Sequence, residues 1–164
     1  MKFAVLINTL TFAGIVGFGA YQIEEAQAMQ TVKNVSEEDR YCLQQNIFFE
    51  ARNQSVLGQA AVAWVTLNRV EDSRYPDTIC EVVWQHKQFS WTHDGKSDEP
   101  SDNVVEQRAW EDVGIVTDVV LLDWARGINN PVGQSTMYHA EYVDPYWSSS
   151  YDQVVKVDAH IFYQ

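Results

Sequence analysis

Apolar positions recur with helical spacing from Ser36 onward. Leu43, Ile47 and Glu50 fall at i, i+4 and i+7, on one face of a helix that starts with acids in its first turn. Asp39 stands at the capping-box distance from Ser36, where Glu or Gln is usual. The polar run RNQS, residues 52–55, breaks the pattern. GQAAVAWVTLNRVED, residues 58–72, is apolar nearly all round and predicts a helix in the centre of the domain. Asn68 near its end is a buried-polar candidate, and the plainer reading is a hydrogen bond to a neighbouring loop. In RYPDTICEVVWQ, Pro76 is suited to opening a third helix. Residues 90–103, SWTHDGKSDEPSDN, read as a long loop of the kind that often carries function. Residues 104–124 read as one or two helices, with Gly114 as a possible break and Gly127 as the stop. The tail changes period: TMYHAEYV and QVVKVDAHIFY alternate and predict short strands. The expected fold class is mainly α with a small β element, in a single domain.

The N-terminus reads differently. Lys2 precedes the apolar run FAVLINTLTFAGIVGFGAY and then an Ala26-Gln27-Ala28 triplet. This pattern predicts a signal peptide over residues 1–28, or a retained signal-anchor, because the run is borderline for a membrane span. Residues 29–35 read as a spacer and 36–164 as the domain. Either way the domain is expected to be exported, and to meet the membrane only through that segment if it stays uncleaved.

Composition narrows the function classes. The chain has 164 residues, 46% hydrophobic and 13% aromatic, which suits one globular monomeric domain. A net charge of −12 leaves no electrostatic footprint for nucleic acid. Cys42 and Cys80 are the only cysteines, and export permits a disulfide between them. Two buried thiols, or a cysteine nucleophile with a histidine, remain alternatives. His86, His93, His139 and His160 lack metal-ligand spacing, so no metal or other cofactor is expected. No nucleophile elbow supports a Ser-His-Asp triad.

Glu50 carries the sharper question, since it follows Ile47, Phe48 and Phe49 directly. A general acid near neutral pH needs its pKa raised from about 4.3 toward about 6, which costs about 2.3 kcal/mol. A helix C-terminus supplies only about 0.3–1 kcal/mol, so apolar surroundings would have to do most of the work. An ion pair with Arg52 would act the other way. An exposed helix-end carboxylate is the competing reading.

Several blocks in order resemble the SleB-type cell wall hydrolases, a family that includes spore-cortex-lytic enzymes and phage relatives. They are IFFEARNQSVLGQAAVAWVTLNRVEDSRYPDTICEVVWQ, QFSW, MYHAEYVDPYW and HIFY, and together they cover roughly residues 40–164. The resemblance implies a lysozyme-like, lytic transglycosylase-like domain acting on peptidoglycan glycan strands between N-acetylmuramic acid and N-acetylglucosamine. It places the catalytic acid at Glu50 and groove residues at Gln88, Phe89, Ser90, Tyr138, His139 and Trp147. It favours a one-acid transglycosylase over a hydrolase, for which Asp94, Glu141 and Asp144 are candidate second carboxylates. A non-catalytic peptidoglycan-binding module is the alternative from another class. Asn53 departs from the glycine that the family usually carries after the arginine, so the turn after Glu50 is expected to differ slightly. The short exported chain suits a secreted or phage-borne lysis protein better than a cortex enzyme.

Overall fold

The computed structural model describes residues 12–164. The first part of the expected signal segment, residues 1–11, lies outside the described residues. Helix α1 (Phe12–Asn34) runs through the Ala26-Gln27-Ala28 triplet and nearly all of the expected spacer, and packs on a later helix, α5 (Val104–Arg126). Ala28 is buried there, and Glu25 pairs with Arg126. No helix of the described residues is long and apolar enough to cross a membrane.

Helix α2 (Glu37–Ala51) begins at Ser36, whose hydroxyl accepts from the Asp39 amide at 3.0 Å. The Asp39 carboxylate reaches across to accept from the Cys80 amide at 2.9 Å, so the capping residue also docks another helix. Helix α3 (Val56–Glu71) is capped by Ser55 and sits centrally, against α2, α5 and α4 (Ile79–Val83). Its all-round apolar sequence follows from that position: Ala61, Val62, Ala63, Val65 and Leu67 are fully buried. Leu43, Ile47 and Phe48 of α2 join the same core with no exposure, and each side chain so buried contributes about 1.5–3 kcal/mol. Cys42 and Cys80 form a disulfide with Cα atoms 5.2 Å apart, joining α2 to α4.

Two expectations need correction. Pro76 does not open the third helix. Thr78 does, accepting from the Glu81 amide, and the helix has only 5 residues. Nor does Gly114 break anything. Helix α5 (Val104–Arg126) is continuous, and a Cβ at Gly114 would come within 3.1 Å of the Gln44 amide nitrogen. The glycine is there for close helix packing, and Gln44 uses the space to donate to the Trp110 carbonyl at 2.9 Å. Gly127 stops α5 in the left-handed conformation, as a C-terminal glycine should.

The alternating tail forms an antiparallel sheet of β1 (Met137–Ala140), β2 (Gln153–Val157) and β3 (His160–Tyr163), in the order β1-β3-β2. The β2–β3 turn places Asp158 at φ +48°, and its carboxylate accepts from the Ser55 amide and hydroxyl at 2.9 and 2.6 Å. A Cβ at Gly58 would lie 2.3 Å from that carboxylate, so only glycine admits the contact. Asn68 takes the plainer reading: it donates to the Gly133 and Ser135 carbonyls at 2.8 Å each, pinning the loop that leads into β1.

Candidate active site

A cleft of about 500 Å³ opens where the last turns of α2 and α3, the loop after α4 and the sheet converge. Helix α2 delivers Glu50 and α3 delivers Arg69. The loop brings Lys87, Gln88, Phe89, Ser90 and Trp91, and the β1 and β3 strands bring Tyr138, His139 and His160. Trp147 and Tyr142 come from the segment after β1. Every residue expected in the groove therefore lines one hollow with Glu50. Phe89 and Trp91 are nearly fully buried and form its floor, where Trp91 stacks on Phe49 at 4.8 Å.

Tyr138 donates its hydroxyl proton to Glu50 Oε2 at 2.9 Å. Burial raises the Glu50 pKa above the ordinary carboxylate value, and the tyrosine hydrogen bond and the charge of Arg69 only partly offset it. Burial, together with the Glu50 charge, pushes the Tyr138 phenol well above its usual range, so it remains a neutral donor. Glu50 shares the face of Leu43 and Ile47, and the sheet closes over it.

The nearby cation is not the one expected. Arg52 turns away: its guanidinium lies 4.7 Å over the Phe48 ring and 3.6 Å from Glu106. The charge that acts on Glu50 belongs to Arg69, which is buried and forms no ion pair with Glu50 among the described residues. Arg69 Nε donates to the Thr136 carbonyl at 2.8 Å. Its Nη1 and Nη2 donate to the Gln88 side-chain oxygen at 3.0 Å, once that amide is oriented to satisfy both its ends. The guanidinium also lies 5.3 Å from the Phe89 ring centre. It thus holds the strand and the loop that form the cleft walls. Gln88 is half-buried and committed to Arg69, while Ser90 is exposed at the rim.

His139 is held on both nitrogens, by the Ala140 carbonyl and the Tyr163 hydroxyl at 2.9 Å each, and stacks on Tyr163. Trp147 packs edge-on against His139, Tyr151 and Tyr163. His160 is buried beside Tyr138, its Nδ1 has no protein partner, and burial lowers its pKa. The candidate second carboxylates are elsewhere. Asp94 pairs with Lys96, Glu141 with Lys156, Asp144 is exposed, and none of the three lines the cleft. Among the described residues, no three His, Cys, Asp or Glu side chains converge on a point. Asn53 keeps an ordinary negative φ, so the turn closed by the Gln54 amide on the Ala51 carbonyl does not demand glycine.

Sequence reasoning missed Arg69, Trp91, Lys87 and His160 as cleft residues. Arg69 left a signal, as a cation near the end of a helix otherwise apolar all round. Trp91 and His160 lay within the QFSW and HIFY blocks without being singled out, and Lys87 left no signal.

The same arrangement of helices and sheet occurs in solved structures. The catalytic domain of the Bacillus cereus SleB protein superposes with a TM-score of 0.56 at 26% identity, over 80% of this chain and 94% of that one. The catalytic domain of the germination-specific lytic transglycosylase SleB from Bacillus anthracis gives 0.59 at 26% identity, over 80% and 98%. The fold is thus the mainly helical, lysozyme-like one of those domains. A spore cortex-lytic enzyme of Halalkalibacterium halodurans is 27% identical over 128 residues, 77% of this chain and 35% of that protein. One from Bacillus cereus is also 27% identical over 128 residues, 44% of its length, so this chain spans less than half of either relative. Residues 53–163 match the cell wall hydrolase family, a stretch that opens just after Glu50 and takes in Arg69, the cleft loop and the whole sheet. With most of the chain matched, this protein belongs to the cell wall hydrolase family.

Proposed function

We propose that the protein cleaves peptidoglycan glycan strands between N-acetylmuramic acid and N-acetylglucosamine, as a lytic transglycosylase with Glu50 as its single acid and base. The observation that carries this reading is that Glu50 is, among the described residues, the one carboxylate lining the cleft, with its pKa raised by burial. A protonated Glu50 gives its proton to the glycosidic oxygen as the C1–O bond breaks and positive charge develops at C1. The resulting carboxylate then takes the proton from the muramic acid 6-hydroxyl, whose oxygen bonds to C1 and closes a 1,6-anhydro ring. Glu50 is returned to its starting state and no water is consumed. Tyr138 steadies the carboxylate between the two steps, since its hydrogen bond strengthens as negative charge appears.

A hydrolase would need a positioned water, or a second carboxylate about 5–9.5 Å from the acid. The positions of Asp94, Glu141 and Asp144 outside the cleft weigh against that alternative. A binding module without activity has no use for a raised acid. The domain, residues 36–164, is further proposed to work outside the cytoplasm, which the disulfide supports. Glu50→Gln should still sediment with purified sacculi yet release no soluble fragments. Release at the wild-type rate would reject the assignment.

A further inference from the structure

Lys87 is the one residue of the cleft whose backbone is out of keeping with its side chain. Residues 85–88 form a turn closed by the Gln88 amide on the Gln85 carbonyl at 2.9 Å, and Lys87 occupies its third position at φ +62°. That conformation suits glycine or asparagine, and an ordinary L residue is strained there. Such strain is retained where the side chain is useful. The Lys87 side chain is exposed, lines the cleft, and has no ion-pair partner among the described residues. The other cation of the cleft, Arg69, is buried and bound to Thr136 and Gln88. In a chain of net charge −12, an unpaired ammonium at the cleft rim is available to an anion brought by the substrate.

We infer that Lys87 is a specificity-determining residue that reads a carboxylate of the substrate beside the sugar being cleaved. The inference rests on the proposed activity. Peptidoglycan strands carry carboxylates in two places: on the stem peptides, and on the lactyl group of muramic acid where the peptide is missing. In both, an exposed lysine at a groove edge gains modest attraction, and the gain weakens as salt rises.

The test compares native sacculi with sacculi whose amines are acetylated and whose carboxylates are converted to methylamides. Wild type should show kcat/KM about two- to fivefold higher on native material, and Lys87→Gly should bring that ratio to about one. The same substitution should raise the Tm by about 1–3 °C, because glycine relieves the turn, and Lys87→Asn should behave likewise. Strands stripped of stem peptides by an amidase assign the source: persistence of the Lys87 effect points to the lactyl carboxylate, its loss to the peptide. Equal ratios for wild type and Lys87→Gly would overturn the role of Lys87 alone. Wild type inert on native sacculi would overturn the glycan-cleaving reading, and Lys87 with it.

Discussion

Two hollows among the described residues are of opposite character. One is the cleft of Glu50. The other is a furrow of about 770 Å³ between α3 and α5, lined by Val56, Leu57, Trp64, Ile115, Val119 and neighbours. The furrow is larger and more apolar, and several of its side chains stand open to solvent, Val56 at 68% and Ile115 at 65%. The smaller cleft holds a carboxylic acid pushed up by burial, a phenol pushed up beside it and a buried guanidinium pushed down. Size is not what marks the proposed site. Polar groups held where burial makes them costly do.

That contrast breaks first at Glu50. Glu50→Gln should lower kcat/KM on sacculi by about 10²–10⁴-fold, the range for loss of a general acid. Its stability effect has the opposite sign. A carboxyl whose pKa is raised on folding loses stability as pH rises from the unfolded value through the folded one. Glu50→Gln should therefore raise the Tm near pH 7, and the advantage should vanish as pH falls below the ordinary carboxylate range. Thermal melts at both pH values check this.

Arg69→Met leaves the buried acceptors on Thr136 and Gln88 without their donor, and should cost about 1–3 kcal/mol in denaturant unfolding, with loss of activity. Reducing the Cys42–Cys80 bridge opens a loop spanning 38 positions and should cost about 3–4 kcal/mol by the chain-entropy argument. Alkylation of the unreduced protein should leave its mass unchanged, and rapid uptake of two labels would contradict the bridge. Tyr138→Phe removes a bond that lowers the Glu50 pKa, so the alkaline limb of the pH–activity profile should move to higher pH. At the small end, Ile115→Ser or Val119→Ser in the furrow should leave kcat/KM within about twofold.

The difference between the hollows also explains what the sequence made legible. Helical and strand periods marked α2, α3, α5 and the sheet, because burial of one face or of all faces writes itself into spacing. The aromatic loop QFSW and the YHAEYVDPYW block drew attention to both cleft walls. Arg69 was passed over because its partners, Gln88 and Thr136, lie far from it in sequence and only the fold brings them together. Trp91 closes QFSW, but the polar stretch that follows it gave no sign that its ring is buried. Gly114 looked like a helix break because sequence cannot distinguish flexibility from the close approach of Gln44. The strain at Lys87 exists only in the backbone.

The central claim is that one acid suffices, and mass spectrometry of the soluble products of purified sacculi tests it most directly. Wild type should release muropeptides ending in 1,6-anhydromuramic acid, and Glu50→Gln should release none. Reducing-end products from the wild type would contradict the single-acid account and call for a second carboxylate or a water that the cleft must then accommodate.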